Sequence, residues 1–536
     1  MDQFASYDIA VIGSGAAGLM AALSASVAGA RVIVVERSPL IGGTSAISGG
    51  QIWSPLNDCM SRAGTPDARD EALTYLSRVT LDQVPADRLE RYLDGSAALL
   101  KSLETWTDLR FFRVERPDYH PDFAGARDGR SLEPLPYDTS RLGDWRRRIR
   151  TSPVRGPTTS REAREGISAD IVAARRAADT RTQGAGLVAG LVQACLDRGV
   201  AFELGTRAID LVWQERRVRG SRLQRADGDE HVLSSERVVL ATGGFEWNPR
   251  LKAAFLSRAD EAPTSPPWNE GDGLIMGLKL GAGVDHMTEA WWTAAVRVPG
   301  EEWDGRPMFR NIVRELALPG SVMVNAQGRR FVNEASSYHD LGKAFQHFDP
   351  GAYRYPNAKA WLIFDARFKA RYSIVNVPAT AAAPDWFRSG ASPAELAAIL
   401  DIPSATLEAT LRAMNAAALS GVDPEFRRGS DRHGRQYGDP DHRPNPCLGQ
   451  LLEAPFYAIP ILHGNNGTKG GLRTDHEGRV QKFDGDIIAG LYACGNVAAS
   501  TMGPGYPGTG GSLGPAMTDA LFAGWRAATS TELKLP

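Results

Sequence analysis

Tyr7-Asp8-Ile9-Ala10-Val11-Ile12-Gly13-Ser14-Gly15-Ala16-Ala17-Gly18 is the stretch whose reading decides the fold. Its first six residues are a short apolar run of buried-strand type. The glycines follow at once. A helical stretch then runs through Ala28, and a second apolar run, Arg31-Val32-Ile33-Val34-Val35-Glu36, comes next. Strand, glycine turn, helix and strand give GxGxxG the context that it lacks alone. Gly13, Gly15 and Gly18 permit a tight turn and a close approach to a pyrophosphate. Ser14, Ala16 and Ala17 lie where the helix begins, and its free N–H groups attract the anion. Glu36 stands about 20 residues on, where a carboxylate can accept from a ribose hydroxyl, with Arg37 beside it. A dinucleotide site is expected.

Working outward, Ile41-Gly42-Gly43-Thr44-Ser45-Ala46-Ile47-Ser48-Gly49-Gly50 has almost no side chains to pack. It suits wrapping a ligand longer than one nucleotide, and it offers Gly42, Gly43, Thr44, Ser48, Gly49 and Gly50 as contacts. Val238-Val239-Leu240-Ala241-Thr242-Gly243-Gly244 is an apolar strand that breaks into small residues, offering Ala241, Thr242 and Gly243. Gly490-Leu491-Tyr492-Ala493-Cys494-Gly495-Asn496 does the same near the other end of the chain, with Gly495 and Asn496. NAD needs no such further wrapping, whereas an extended FAD does, so FAD is the expected cofactor. Glycine-terminated strands spread along the whole chain imply an α/β fold. Its Rossmann-type FAD-binding domain is assembled from N- and C-terminal segments, with an inserted α+β catalytic domain. The expected limits are 1–285 for the first FAD-binding part, 286–447 for the insert and 448–536 for the return. Residues 58–110 and 168–198 read as helical, and Ser321–Asn325 and Trp361–Asp365 as strands. Ser392-Pro393 caps one helix, and Ser404 opens another that Gly421 ends.

Length and composition fit this picture. A chain of 536 residues exceeds one ordinary domain. Hydrophobic content of 43% and charged content of 23% are ordinary for a globular protein. A formal net charge of −2 gives no argument for nucleic acid. The four cysteines show no CxxC spacing, so neither a metal centre nor a disulfide framework is expected. The first eight residues lack the basic start of a signal peptide, and no apolar run is long enough to span a membrane.

One stretch asks for chemistry. Gly503-Pro504-Gly505-Tyr506-Pro507-Gly508-Thr509-Gly510-Gly511-Ser512-Leu513-Gly514-Pro515-Ala516-Met517 sets a tyrosine hydroxyl among bare amides and runs into a helix. That suits holding a carbonyl oxygen that gains negative charge during reaction. Ser512 and Leu513 stand at the helix start, where a cofactor can also be met.

On these stretches the chain resembles the 3-ketosteroid Δ1-dehydrogenases, within the fumarate reductase/succinate dehydrogenase flavoprotein group. Further matches are Ala290-Trp291-Trp292, Gly328-Arg329-Arg330-Phe331-Val332-Asn333-Glu334 with Tyr338, and Gly467-Thr468-Lys469-Gly470-Gly471-Leu472-Arg473-Thr474-Asp475. The resemblance covers nearly the whole chain, and the Tyr506 stretch is its specific part. It implies non-covalent FAD. It also implies that Tyr506 and the Gly510 N–H hold a ketone oxygen and that Tyr338 takes the proton from the adjacent carbon. Tyr119, in Pro117-Asp118-Tyr119-His120-Pro121, would hydrogen-bond Tyr338 and help carry the proton away. Flavin N5 would take the hydride, leaving a C=C bond conjugated to the ketone. Trp292 is implied at the substrate.

Two features depart from the resemblance. Arg116 stands where an apolar residue is expected, and residues 144–167 are arginine-rich. The substrate is thus either a 3-ketosteroid or a smaller cyclic ketone. A cyclohexanone or 4-oxocyclohexanecarboxylate would fit the latter, with an arginine on the carboxylate. A fumarate- or enoate-type reductase is the alternative of another class. The expected electron acceptor is a quinone, an electron-transfer protein or O2. The expected location is the cytoplasm, at most at a membrane surface.

Overall fold

The computed structural model describes residues 7–258, 261–529 and 531–533, so the segment 1–6 lies outside the described residues. Its first sheet has eight strands. Tyr7–Ile12 runs parallel to Val32–Glu36 on one side and to Glu230–Leu240 on the other. Ile487–Ala493, from the far end of the chain, lies parallel to Glu230–Leu240, and Ala201–Leu204 lies parallel to Val32–Glu36. The nucleotide domain is therefore assembled from both ends of the chain, as its glycine-terminated strands imply.

Continuous apolar runs form these strands because both faces of the sheet are covered. Ile9, Val11, Val32 and Val34 enter one core, while Ala10, Ile12, Ile33 and Val35 enter the other. The first core is closed by helices Ala16–Val27 and Leu513–Thr529. These two helices meet at Gly524, where an added Cβ would come within 2.2 Å of the Ala21 carbonyl oxygen. Ser24 Oγ donates to the Leu521 carbonyl at 2.8 Å along the same contact.

The second sheet has seven strands, and Phe456–Thr468 lies at its centre. That strand pairs with Ala290–Trp303, Ala360–Phe364, Arg388–Gly390 and Ala262–Pro263. The expected domain limits are corrected on this evidence. The return does not start at residue 448, because the chain re-enters the first sheet only with Arg479–Gln481 and Ile487–Ala493. The insert likewise takes a strand from before residue 286. A strand's apolar pattern reveals that it is buried but not which sheet it joins. The expected helical run 58–110 contains Asp58–Arg62, Arg69–Val79 and Ala86–Trp106. With a three-stranded sheet of Ile52–Trp53, Phe111–Arg113 and Ser131–Pro134, it forms a cap that carries Tyr119. No helix among the described residues is long and apolar enough to cross a membrane.

The helix contact yields a stability prediction. Gly524→Ala forces a methyl group into the Ala21 backbone and should cost about 1–3 kcal/mol. A lower thermal midpoint, with flavin lost at a lower temperature than in the parent protein, is the expected result.

Candidate active site

A single cavity of about 690 Å³ joins the nucleotide motif to the tyrosines. At its first end, Gly13, Ser14, Gly15, Ala16 and Ala17 line the wall, followed by Glu36 and Arg37. Gly43, Thr44, Ser48, Gly49 and Gly50 line it from the second glycine loop. Ala241, Thr242 and Gly243, then Gly495, Asn496, Ser512 and Leu513, complete that part. Gly18 and Gly42 do not line the cavity, which corrects their expected role. A Cβ on Gly18 would lie 2.0 Å from the Gly13 carbonyl oxygen, and one on Gly42 would lie 2.7 Å from the Ala46 side chain. They allow the turns to close.

The residues present fit a dinucleotide. Helix Ala16–Val27 has Gly15 as its N-cap with no side-chain cap, so N–H groups stay available to an anion. Glu36 is held in place by the Ser14 backbone N–H at 2.9 Å and the Ser14 hydroxyl at 2.6 Å. Thr242 lines the same part of the cavity, with its Oγ1 buried towards Gly273.

At the other end stand Tyr119, Tyr338, Tyr506 and Gly510. They come from the cap, the start of helix Tyr338–Ala344 and the C-terminal loop. The Tyr338 hydroxyl donates to the Tyr506 hydroxyl at 2.8 Å. The Tyr119 ring stands edge-on to both, with centroids 5.5 Å from Tyr338 and 5.2 Å from Tyr506. The expected Tyr119–Tyr338 hydrogen bond is not formed. The buried Tyr119 hydroxyl has no partner in hydrogen-bond geometry, although the Tyr338 and Thr509 hydroxyls lie close enough to influence its titration. Burial raises the pKa of all three phenols, and those of Tyr119 and Tyr338 go well above the ordinary tyrosine value.

The loop that carries Tyr506 is fixed by its carbonyls. His339 Nε2 donates to Pro504 at 2.9 Å, and Lys469 Nζ donates to Gly505. The Tyr119 N–H and the Tyr75 hydroxyl donate to Pro507. Ser131 donates to Thr509 and the Trp53 N–H to Gly510. The loop glycines are needed chiefly against protein. A Cβ on Gly505 would meet the Val79 carbonyl oxygen at 2.1 Å, and one on Gly510, whose φ is +89°, would meet Gln51 at 2.6 Å.

Arg116 lines the cavity, as expected, with its guanidinium over the Tyr437 ring. Trp292 does not line it. Its ring is buried in the core against His463, and its neighbour Trp291 faces the cavity instead. Alternation along the strand puts one tryptophan of the pair on each face. Trp291 donates to Asn496 Oδ1 at 3.0 Å and packs on Tyr506.

Several residues escaped the sequence reading. From the arginine-rich segment, which the sequence offers as a source of a substrate-binding arginine without a choice of residue, Arg155 lines the tyrosine end. Tyr437 and His433 come from the polar stretch 423–447, which has no periodicity to betray them. His433 packs on Tyr119 with centroids 4.8 Å apart, and burial lowers its pKa to about 3, so its imidazole is neutral. Asn269 lines the cofactor end and donates to Thr44 and to the buried Glu246.

Comparison with known proteins agrees with this geometry. Residues 8–513 match the family described as FAD binding domain. The chain is 39% identical to 4-oxocyclohexanecarboxylate 2-dehydrogenase of Sinomonas cyclohexanicum, over 97% of this chain and 92% of that one. It is 35% identical to 3-oxosteroid 1-dehydrogenase of Mycolicibacterium smegmatis, over 96% of each chain. Among solved structures, 3-ketosteroid Δ1-dehydrogenase from Sterolibacterium denitrificans superposes with a TM-score of 0.91 at 34% identity, covering 98% of this chain and 100% of that one. A flavocytochrome c3 fumarate reductase, 22% identical with a TM-score of 0.67, shares the fold alone. The chain therefore belongs to the FAD-binding-domain family and, within it, to the 3-ketosteroid Δ1-dehydrogenase family of FAD-dependent dehydrogenases acting on CH–CH groups.

Proposed function

We propose that this chain dehydrogenates a cyclic ketone that carries a carboxylate. The observation that carries the reading is a pair of cavity arginines. Arg116 and Arg155 line the tyrosine end, and neither forms an ion pair among the described residues. Arg155 donates only to Gln183, at 2.9 Å, and has Glu133, Tyr338 and Arg116 as electrostatic neighbours. Glu133 is already engaged by Gln51 and the Ser160 N–H. Two guanidinium groups without a carboxylate favour an anionic substrate. The relative named for 4-oxocyclohexanecarboxylate supports the same reading. A 3-ketosteroid is the second reading, supported by the apolar wall of Met308, Phe309, Val313 and Val375.

In this proposal Tyr506 and the Gly510 N–H hold the ketone oxygen and stabilise the charge that develops on it. Tyr338 takes the proton from the α carbon onto its phenolic oxygen. Tyr119, whose hydroxyl has no partner, donates to that oxygen and favours the phenolate. FAD, when bound, supplies the two-electron acceptor for the hydride leaving the neighbouring carbon. The pyrophosphate is held by Gly13 to Ala17, and the ribose by Glu36. The final electron acceptor is a quinone, an electron-transfer protein or O2. Four free, buried cysteines support a reducing compartment such as the cytoplasm.

Tyr338→Phe should retain flavin and lose about 10²–10⁴-fold in turnover; near-parental dye-coupled oxidation would remove the base assignment. Burial raises the Tyr338 pKa, so its reactive phenolate gains population as pH rises. Above pH 8 the kcat/KM of the parent protein should accordingly climb with pH, and a profile flat from pH 8 to 10 would contradict this.

Arg116→Ala and Arg155→Ala should each raise KM for 4-oxocyclohexanecarboxylate about 10- to 100-fold, by loss of a charge-assisted hydrogen bond. KM for neutral cyclohexanone should change little, and equal losses on both substrates would sink the carboxylate reading.

A further inference from the structure

Lys469 lies outside the cavity, behind the wall that Trp291 forms. Its side chain is fully buried. Nζ stands 4.4 Å from the Trp291 ring centroid and donates to the Gly505 carbonyl. Gly505 directly precedes Tyr506, and the Trp291 ring packs on Tyr506 with centroids 5.0 Å apart. The ammonium is thus joined to Tyr506 by backbone and by ring.

Lys469 forms no ion pair among the described residues. The nearest acid in effect, Glu289, is paired with Lys343 at 3.0 Å. Asp340 and Lys343 act on the lysine from helix Tyr338–Ala344. The neutral His339 and His286 complete its titratable surroundings. Burial lowers the Lys469 pKa to about 7. A buried cation with one carbonyl and one indole face is costly to keep, and an apolar side chain would fill the same space more cheaply. The placement, next to one of the two groups proposed to hold the substrate oxygen, gives that cost a use.

We propose that Lys469 is a positioning residue for the ketone oxygen. It locks Tyr506 in place and lends positive potential that favours the enolate over the ketone. This rests on the ketone-dehydrogenation reading above.

Lys469→Gln separates charge from hydrogen bonding, because the amide still donates to Gly505. With bound flavin retained, kcat should fall at least ~10-fold, a fraction of the cost of losing an oxyanion donor outright. KM should stay within about twofold. Affinity for p-nitrophenolate, an enolate mimic followed by the flavin difference spectrum, should fall with kcat, while affinity for neutral cyclohex-2-enone holds.

Lys469→Met tests the cost. The folded pKa of about 7 lies below the unfolded value near 10.4, so protons favour the unfolded chain. Stability is lowered below pH 7 and recovers as pH rises toward the unfolded value. At pH 6 the Met variant should therefore melt no lower than the parent. Parental kcat in the Gln variant overturns the proposal. Equal loss of phenolate and ketone affinity does so too. An unstable or unfolded Met variant would make the lysine a structural tie and also overturn it. Tyr338→Phe and Tyr506→Phe run alongside. If they keep turnover, the ketone reading itself fails; if they are inactive and the Gln variant is not, only the role of Lys469 falls.

Discussion

The site depends on how the carbonyls of the loop 503–511 are used. A stretch rich in glycine and proline makes few hydrogen bonds of its own, so its shape is set by whatever donates to it. Here the donors come from segments far apart in sequence. His339 and Lys469 take Pro504 and Gly505, while Tyr75 and the Tyr119 N–H take Pro507. Ser131 and Trp53 take Thr509 and Gly510. Each donor also fixes its own element, so the same bonds that shape the loop bring Tyr119 and Tyr338 to Tyr506. His339 is the residue after Tyr338, and the Tyr119 N–H is itself one of the donors.

The loop continues into helix Leu513–Thr529, which packs on Ala16–Val27 through the close approach at Gly524. Helix Ala16–Val27 and the loop that carries Tyr506 therefore belong to one packed unit. This constrains the distance between the nucleotide motif and Tyr506 more tightly than two domains joined by linkers would. The second sheet adds Tyr338 from the other side, and the strand Phe456–Thr468 at its centre leads directly to Lys469.

In the proposed reaction the tyrosine end receives negative charge. Its phenols are held neutral by burial, and the neighbouring imidazoles of His339 and His433 are neutral as well. Cations remain: Arg116 and Arg155 on the cavity wall, with Lys469 behind it charged below its pKa of about 7. Fixed positive groups in a low-dielectric site act strongly on charge that appears only during reaction. The buried acids beneath the cap are arranged differently. Asp118, next to Tyr119, is pushed up to about pKa 6 by burial yet held by Arg130 at 2.7 Å and by the Trp53 indole N–H, so it serves to anchor the turn.

The sequence by itself determined the nucleotide fold. The period of the apolar runs and the glycine turns are local properties, and they sufficed for strand, turn and helix at Tyr7 to Glu36. They also sufficed to show that both chain ends build one domain. Tyr506 was legible because its motif is contiguous, while Tyr119, Tyr338 and Arg116 were reached through the family resemblance. Only the tertiary structure decided which sheet Phe456–Thr468 joins, which of Trp291 and Trp292 faces the cavity, and that Gly18 and Gly42 serve packing. Only it brought His433, Tyr437, Arg155 and Lys469 to the tyrosines. The reason is physical: which side of a strand is wet, and which distant donor meets a carbonyl, are settled by packing between segments that share no local signal.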